Sequence, residues 1–214
     1  IEVEDSIALT SNAAPTAAQR AAMGAAGVPN PELIGEVNYF TNDFNTETSG
    51  LDIVATYDTN LFGGSTDFSA AYNYTDTEVS DQGSVTSDSK VKRLEEGLPN
   101  HRATFTMNQQ WEQISAFVRT NYFGEYYAVH ADWFGTDADA AVTVDLEVTY
   151  NITDNFNVSV GAQNIFDQKA ERIEGSAGAV AEGVPGGVLG GIYYETSPMG
   201  IEGAFWYMSA GYNF

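Results

Sequence analysis

The sequence predicts an all-β fold of antiparallel, up-and-down transmembrane β-barrel strands, about eight in number, and three observations predict it. Apolar and polar residues alternate over segments of roughly 10 residues, the length that a tilted strand needs to cross a bilayer. The connections between these segments are alternately long and short. Aromatic residues concentrate near the ends of the apolar rows, where membrane barrels carry their aromatic girdles.

Eight segments carry the alternation. The most regular runs from Val142 to Tyr150, where valine, leucine and tyrosine side chains alternate with Thr143, Asp145, Glu147 and Thr149. Because successive side chains of a strand point to opposite faces, each segment has one apolar and one polar face. The predicted strands are residues 1–10, 37–57, 66–74, 102–111, 113–123, 142–150, 156–163 and 204–214.

The predicted connections form two rims. Residues 11–31, 75–100, 128–139 and 168–203 are the long ones, and residues 58–64, 111–112 and 153–155 are the short ones. Outer-membrane barrels have long extracellular loops and short periplasmic turns. The short connections and both chain ends are therefore expected at the periplasmic rim.

Composition excludes several functions. The formal net charge is -22, with 8 Lys and Arg against 30 Asp and Glu, so the chain lacks the cations that a nucleic acid partner requires. A content of 43% hydrophobic residues argues against a disordered chain, and the absence of cysteine excludes thiol catalysis and cysteine-ligated metals. The chain begins without Met or a signal peptide, so we expect a fragment or a mature segment.

The polar face is expected to line a lumen. On the apolar faces of five segments the central alternating span carries no charge, whereas the opposite faces carry Asp67, Arg102, Asp145 and Glu147. Sixteen of the acidic residues lie in or beside three of the predicted outer loops. An acidic outer rim is consistent with repulsion, with divalent-ion bridging to lipopolysaccharide, or with a cationic ligand.

Residues 143–167, TVDLEVTYNITDNFNVSVGAQNIFD, resemble the penultimate hairpin of TonB-dependent outer-membrane receptors. The segments 48–53 and 72–77 resemble earlier strands of that family. The end of the chain resembles the signal read by the barrel-assembly machinery, carried here by Trp206, Met208, Tyr212 and Phe214. The resemblance implies that residues 1–214 are the C-terminal part of a barrel of about 22 strands, without its plug domain and N-terminal strands.

The resemblance also implies a function. Such a receptor lies in the bacterial outer membrane and imports a large, scarce nutrient: a ferric siderophore, cobalamin or an oligosaccharide. The implied partners are outer-membrane lipid and lipopolysaccharide, the barrel-assembly machinery, and the TonB system through the missing N-terminal part. No cofactor is implied, and no enzyme is expected, because His101 and His130 have no accompanying catalytic motif.

Five residues are candidates for ligand binding. Tyr193 and Tyr194 could stack on an extracellular ligand, although loop packing also accounts for them. Asp145, Glu147 and Arg119 lie on polar faces. The two acids could line a substrate path or pair with an arginine of the plug, or be solvated lumen charges, and Arg119 is a further lumen candidate. No metal site is expected, because the acidic residues near His130 match no ligand spacing.

Two other architectures fit the alternation. A self-contained eight-stranded barrel with a structural or adhesion role would pair its first and last strands. A soluble β-sandwich binding domain would bury its apolar faces against each other. A part of a larger barrel would instead have unpaired edges and a bare apolar face.

Overall fold

A computed structural model describes residues 8–35, 37–42, 44–83, 88–130, 134–173, 193–194 and 196–214. This part contains two α-helices and a 3-10 turn, Pro31–Leu33, among its strands. The helices are α1 (Ala17–Ala25) and α2 (Asp88–Glu96). The strands are β1 (Ala8–Ala13), β2 (Val37–Asn42), β3 (Asn45–Leu61), β4 (Gly64–Ser80), β5 (His101–Gln110), β6 (Ile114–Phe123), β7 (Tyr126–His130), β8 (Phe134–Ala138), β9 (Ala141–Thr153), β10 (Phe156–Gln163) and β11 (Phe205–Tyr212).

Seven strands form one antiparallel sheet in the order β11-β10-β9-β6-β5-β4-β3. The predicted antiparallel, up-and-down class is therefore confirmed, and successive connections fall on alternate ends of the sheet. Within the described residues, β3 pairs only with β4 and β11 pairs only with β10. The sheet does not close there, which contradicts a self-contained eight-stranded barrel.

The apolar face of this sheet is open. Ile53, Val160 and Met208 are 52%, 52% and 76% exposed, and Trp206 is 64% exposed. In the described part of the chain no second sheet covers them. The soluble β-sandwich is therefore wrong, because its apolar faces would be buried against each other.

Strand β3 ends four residues later than predicted, and β4 is longer than predicted at both ends. Their connection is only Phe62 and Gly63, both with positive φ (53° and 75°), instead of residues 58–64. At the other end β4 continues through residues 75–80, which were expected to be loop. There the sheet pairs polar residues, such as Thr48 with Thr77 at 3.0 Å between hydroxyl oxygens, so the strand continues where the hydropathy alternation ends.

The first two predicted strands are also corrected. Residues 37–57 form two strands, β2 and β3, and β2 pairs with β1 in a separate two-stranded sheet. Of the predicted strand 1–10, only residues 8–10 lie among the described residues, and β1 continues from them to Ala13.

Three predicted loops contain regular structure. In residues 11–31, Thr16 caps α1: its hydroxyl accepts from the Gln19 amide at 3.2 Å, and Gln19 Oε1 accepts from the Thr16 amide at 2.8 Å. This capping box is a helix-start signal that the alanine-rich composition obscured. Residues 75–100 contain α2, and residues 128–139 fall largely within the β7–β8 hairpin. Neither helix is long and apolar enough to cross a membrane.

A tyrosine joins the last three strands on the polar face. Gly161 of β10 lies between Glu147 of β9 and Tyr207 of β11 in register. The Tyr207 ring crosses Gly161, where an added Cβ would lie 2.4 Å from the ring, and its hydroxyl donates to Glu147 Oε2 at 2.7 Å. The missing side chain of Gly161 thus gives Tyr207 access to a carboxylate two strands away.

We predict that Gly161→Ala destabilises the protein by about 1–2 kcal/mol, because the new methyl displaces the ring and breaks its bond to Glu147. Equilibrium unfolding in urea measures the change. In a Tyr207→Phe background the same substitution should cost less, since the hydrogen bond is already lost. Equal costs in both backgrounds would contradict the proposed link.

Candidate functional site

The outer end of the polar face carries a hydrogen-bonded row of side chains across β5, β6 and β9. The Thr104 hydroxyl donates to Asn121 Oδ1 at 3.3 Å. Asn121 Nδ2 donates to the Thr143 hydroxyl at 3.1 Å and to Asp145 Oδ2 at 3.4 Å. Strand register places Thr104 opposite Asn121 and Asn121 opposite Thr143, and Asp145 lies two residues along β9 on the same face, so the row follows from strand pairing.

Asp145 also anchors the start of the long loop after β10. Its Oδ1 accepts from the Asn164 backbone amide at 2.9 Å. Asn164, with φ 48°, closes the turn: its Nδ2 donates to the Gln168 carbonyl at 2.7 Å and its Oδ1 accepts from the Gln168 amide at 2.9 Å. An Asn tolerates this left-handed conformation better than most residues.

Asp167 clamps the two ends of the same loop together. Its Oδ1 accepts from the Ala204 amide at 2.8 Å and from Lys169 Nζ at 2.8 Å. Lys169 also donates to the Glu202 carbonyl at 3.2 Å. The hydrogen bond from Lys169 lowers the pKa of Asp167 and in turn raises the pKa of Lys169.

A cavity of about 800 Å³ lies between the polar face and residues 198–203 of this loop. Its volume is within the range of small-molecule sites, about 300–1,000 Å³. Amide, hydroxyl and carboxylate groups meet aromatic rings in its wall. The side chains on the sheet and its adjoining turn are Asn121, Phe123, Thr143, Asp145, Gln163, Asn164 and Phe205.

The outer loops have a hydrophobic core of their own. Tyr126, Ala128 and Ala138 of the β7–β8 hairpin pack with Ile173 and Tyr194 of the long loop, and all five are buried. The Thr196 hydroxyl accepts from the Val129 amide at 2.9 Å and donates to its carbonyl at 3.3 Å. Burial raises the pKa of Tyr126.

Helix α2 joins the same assembly. Lys92 Nζ lies 2.6 Å from Asp137 Oδ1 and 4.4 Å from the centre of the Tyr127 ring. The hydrogen bond to Asp137 raises the pKa of Lys92. The second and third outer loops are therefore in direct contact, as are the third and fourth through the hydrophobic core.

The predicted site residues occupy different surroundings. Arg119 and Asp145 are register partners on the polar face, and the Arg119 guanidinium lies 4.9 Å from the centre of the Phe117 ring. Asp145 lines the cavity, and Glu147 holds Tyr207. Tyr193 is half-buried at a β-bridge to Arg172, and Tyr194 is buried in the loop core. Ligand contact by these five residues stays a prediction.

Sequence reasoning did not single out Asn121, Gln163 or Phe205 as site residues. Asn121 lies two residues before the end of β6, and Gln163 is the last residue of β10. Phe205 is the first residue of β11, after the long loop. Face parity combined with loop length could have identified them. Trp206, Met208 and Tyr212 stand exposed on the apolar face, and Phe214 is exposed at the chain end.

Among the described residues, no group of three or more His, Asp or Glu side chains is arranged to hold a metal ion. Of the acidic loop near His130, residues 131–133 lie outside the described ranges.

Comparisons with known proteins agree with this architecture. A family model described as TonB dependent receptor-like, beta-barrel matches residues 1–165. The structure is similar to the copper transporter OprC, with 17% identity, a TM-score of 0.54, and coverage of 98% of this chain and 27% of that one. No curated protein matches this chain.

Two further solved structures share the fold. A mutant ferric enterobactin receptor, PfeA of Pseudomonas aeruginosa, has 18% identity and a TM-score of 0.53, covering 84% of this chain and 24% of that one. FpvA of Pseudomonas aeruginosa, bound to a pyoverdine, has 16% identity and a TM-score of 0.53, with coverage of 98% of this chain and 23% of that one. The chain thus spans about a quarter of the length of these structures.

The Asp167 clamp should respond to pH at both extremes. The pKa of Asp167 is lowered below 3.8. Its contribution to the stability of the clamp is therefore present above that pH and is lost as the pH falls through the pKa that Asp167 has in the folded state. The pKa of Lys169 is raised above 10.5, so its contribution to the stability of the clamp is lost as the pH rises beyond that value. Protection factors of the Ala204 amide, corrected for intrinsic exchange, should be flat between these limits. Asp167→Asn should lower them at neutral pH and remove the acid step; an unchanged acid step would contradict the assignment.

Tyr126→Phe should stabilise the loop core by roughly 1 kcal/mol, because the buried Tyr126 hydroxyl faces the Ser197 hydroxyl without a hydrogen bond of good geometry among the described residues. Hydrogen exchange of the Val129 amide measures the change. Tyr127→Phe is the matched control, since the ring face that contacts Lys92 is retained and no change is expected. Faster exchange in Tyr126→Phe would show that the hydroxyl is needed.

Proposed function

Because this chain belongs to the TonB-dependent receptor-like β-barrel family, we propose that it forms the C-terminal wall and outer loops of a transporter that imports a large, scarce nutrient. Members of this family lie in the outer membrane of Gram-negative bacteria, which accounts for the open apolar face. The whole of residues 1–214 is then one part of the barrel, and β3 and β11 are edges that the rest of the protein pairs.

The cavity at the outer end of the polar face is the observation that carries this proposal. It lies on the face that a barrel turns to its lumen and beneath the longest outer loop. The loop base is clamped by Asp167, and the loop packs against the β7–β8 hairpin. A ligand arriving from outside would meet this cavity before the deeper lumen.

The partners follow from the same arrangement. The exposed aliphatic and aromatic side chains of β9, β10 and β11 would contact lipid, and the acidic outer loops would face lipopolysaccharide. The exposed row Trp206, Met208 and Tyr212, with Phe214, would be read by the barrel-assembly machinery. Coupling to TonB would use parts of the receptor outside these 214 residues.

Deletion of the receptor should abolish growth on one of three limiting nutrients, a ferric siderophore, cobalamin or an oligosaccharide, and deletion of TonB should do the same. Asp167→Ala in the full receptor should reduce that uptake several-fold at an unchanged level in the outer membrane, because the loop above the cavity loses its clamp. Asp154→Ala, in the tight turn before β10, is the control and should leave uptake unchanged. Growth on all three nutrients without the receptor would contradict the proposal.

A further inference from the structure

The apolar face of the sheet contains a groove toward its outer end. Small residues of three neighbouring strands form its floor: Ala55 of β3, Ala70 of β4 and Ala103 of β5. Register places Ala55 opposite Ala70, and Ala103 opposite Tyr72, the next residue of β4 on this face. The groove has a volume of about 280 Å³, and its walls are the larger side chains Ile53, Tyr72, Phe105 and Tyr122.

Contacts within the sheet hold two of these walls in place. The Phe105 ring stacks on Phe68 with centroids 5.9 Å apart. The Tyr72 hydroxyl oxygen lies 2.8 Å from His101 Nδ1, and the two ring centroids are 6.2 Å apart. Phe105 and Tyr122 are nevertheless exposed. The groove is therefore a fixed depression that the described part of the chain leaves open.

The position of the groove selects an acyl chain as its occupant. In the proposed receptor the apolar face contacts lipid, and the groove is continuous with that face. An acyl chain lying in the groove has apolar side chains beneath it and on both sides, whereas a chain on a flat surface is contacted from one side only. Dispersion attraction grows with the number of such contacts. The groove should therefore retain one chain longer than the surrounding surface does.

A hydrogen-bond donor lies at the outer end of the groove. His101 is two residues before Ala103, on the same face of β5. A phenol is the usual donor to a neutral imidazole nitrogen, so the Tyr72 hydroxyl on Nδ1 places the ring proton on Nε2. Within the described part of the chain, the imidazole makes no second hydrogen bond. The head of each lipid acyl chain carries an ester or amide carbonyl, which is an acceptor for this N–H.

The neighbouring charges distinguish a carbonyl from a phosphate at this position. Asp76 lies on the same face of β4, two residues beyond Tyr74, and accepts from Asn100 Nδ2 at 3.1 Å. The centroid of the Tyr74 ring is in turn 5.0 Å from that of the His101 ring. Arg102 is on the opposite face, because successive side chains of a strand alternate. A phosphate at His101 would be repelled by Asp76, whereas a neutral carbonyl is not.

We propose that this groove is a binding site for one acyl chain of lipopolysaccharide, with His101 Nε2 donating to the carbonyl at the head of the chain. The groove lies toward the end of the sheet that carries the long loops, and in the outer membrane that end meets the leaflet that contains lipopolysaccharide. The phosphorylated sugars of the lipid would then lie farther out, at the level of the loops. The proposal rests on the function proposed above for the lipid contact of this face, and it adds a specific lipid to that contact.

The test uses the full receptor in vesicles of phosphatidylethanolamine and lipid A, the acylated part of lipopolysaccharide. One acyl chain of the lipid A carries a diazirine, and mass spectrometry maps the labelled residues after irradiation. Label should concentrate on the side chains of the groove, in β3 to β6.

Four variants locate the contact. Ala70→Leu fills the groove, and His101→Phe keeps a ring beside Tyr74 but lacks the N–H. Each should lower the labelling of the groove by about 3–10-fold, through a lost chain contact or a lost hydrogen bond. His101→Gln retains an N–H donor and should preserve most of the labelling. Ala210→Leu, on the apolar face of β11, is the matched control and should leave the labelling unchanged.

The inference is overturned if label spreads evenly over the apolar face, if a diazirine phosphatidylethanolamine labels the groove as strongly as lipid A, or if Ala70→Leu and His101→Phe behave like Ala210→Leu. A receptor dimer that Ala70→Leu dissociates would also overturn it, by assigning the groove to a second copy. Retained labelling in His101→Gln excludes misfolding as the cause of a loss in His101→Phe. Receptor- and TonB-dependent nutrient uptake without lipid A in the groove would refute the lipid site and leave the transport function standing. Uptake that needs neither protein would refute the transport function itself.

Discussion

In a hydrocarbon environment each backbone N–H and C=O of a spanning strand has to be hydrogen-bonded to a neighbouring strand. The seven-stranded sheet meets this requirement between its edges and leaves it unmet at β3 and β11 within the described residues. The same strands direct apolar side chains to one face and polar side chains to the other. Both properties fit the proposal that the sheet is part of a larger closed barrel, whose remaining strands would pair the two edges.

This constraint also decides where function can lie. In the proposed receptor the apolar face contacts lipid, which confines the binding chemistry for a nutrient to the polar face and the outer loops. Asp145 has three structural roles there: its carboxylate ties β6 to β9, anchors the turn after β10 and lines the cavity. The loops themselves are built around buried side chains, Tyr126 and Tyr194 among them, and around the contact of Lys92 with Asp137.

Period-two alternation was enough to predict the strands that have one apolar face, and β9 and β10 lie where the pattern predicted them. It could not predict the outer part of β4, where both faces are polar and the strand signal disappears. Nor could it predict that Gly161 admits Tyr207 to Glu147, because that contact joins residues 60 positions apart. The cavity depends on the return of residues 198–203 over the sheet, a tertiary event without a local signal.

The central claim is that one face of the sheet meets lipid and the other a lumen. These 214 residues contain no cysteine. In the full receptor, with any cysteine elsewhere replaced, a single spin label can therefore be placed in turn at each position from Val144 to Val148 of β9, in bilayers. Accessibility to oxygen, which concentrates in lipid, should be high at Val144, Leu146 and Val148 and low at Asp145 and Glu147. Uniform accessibility along the strand, or the opposite alternation, would contradict the account.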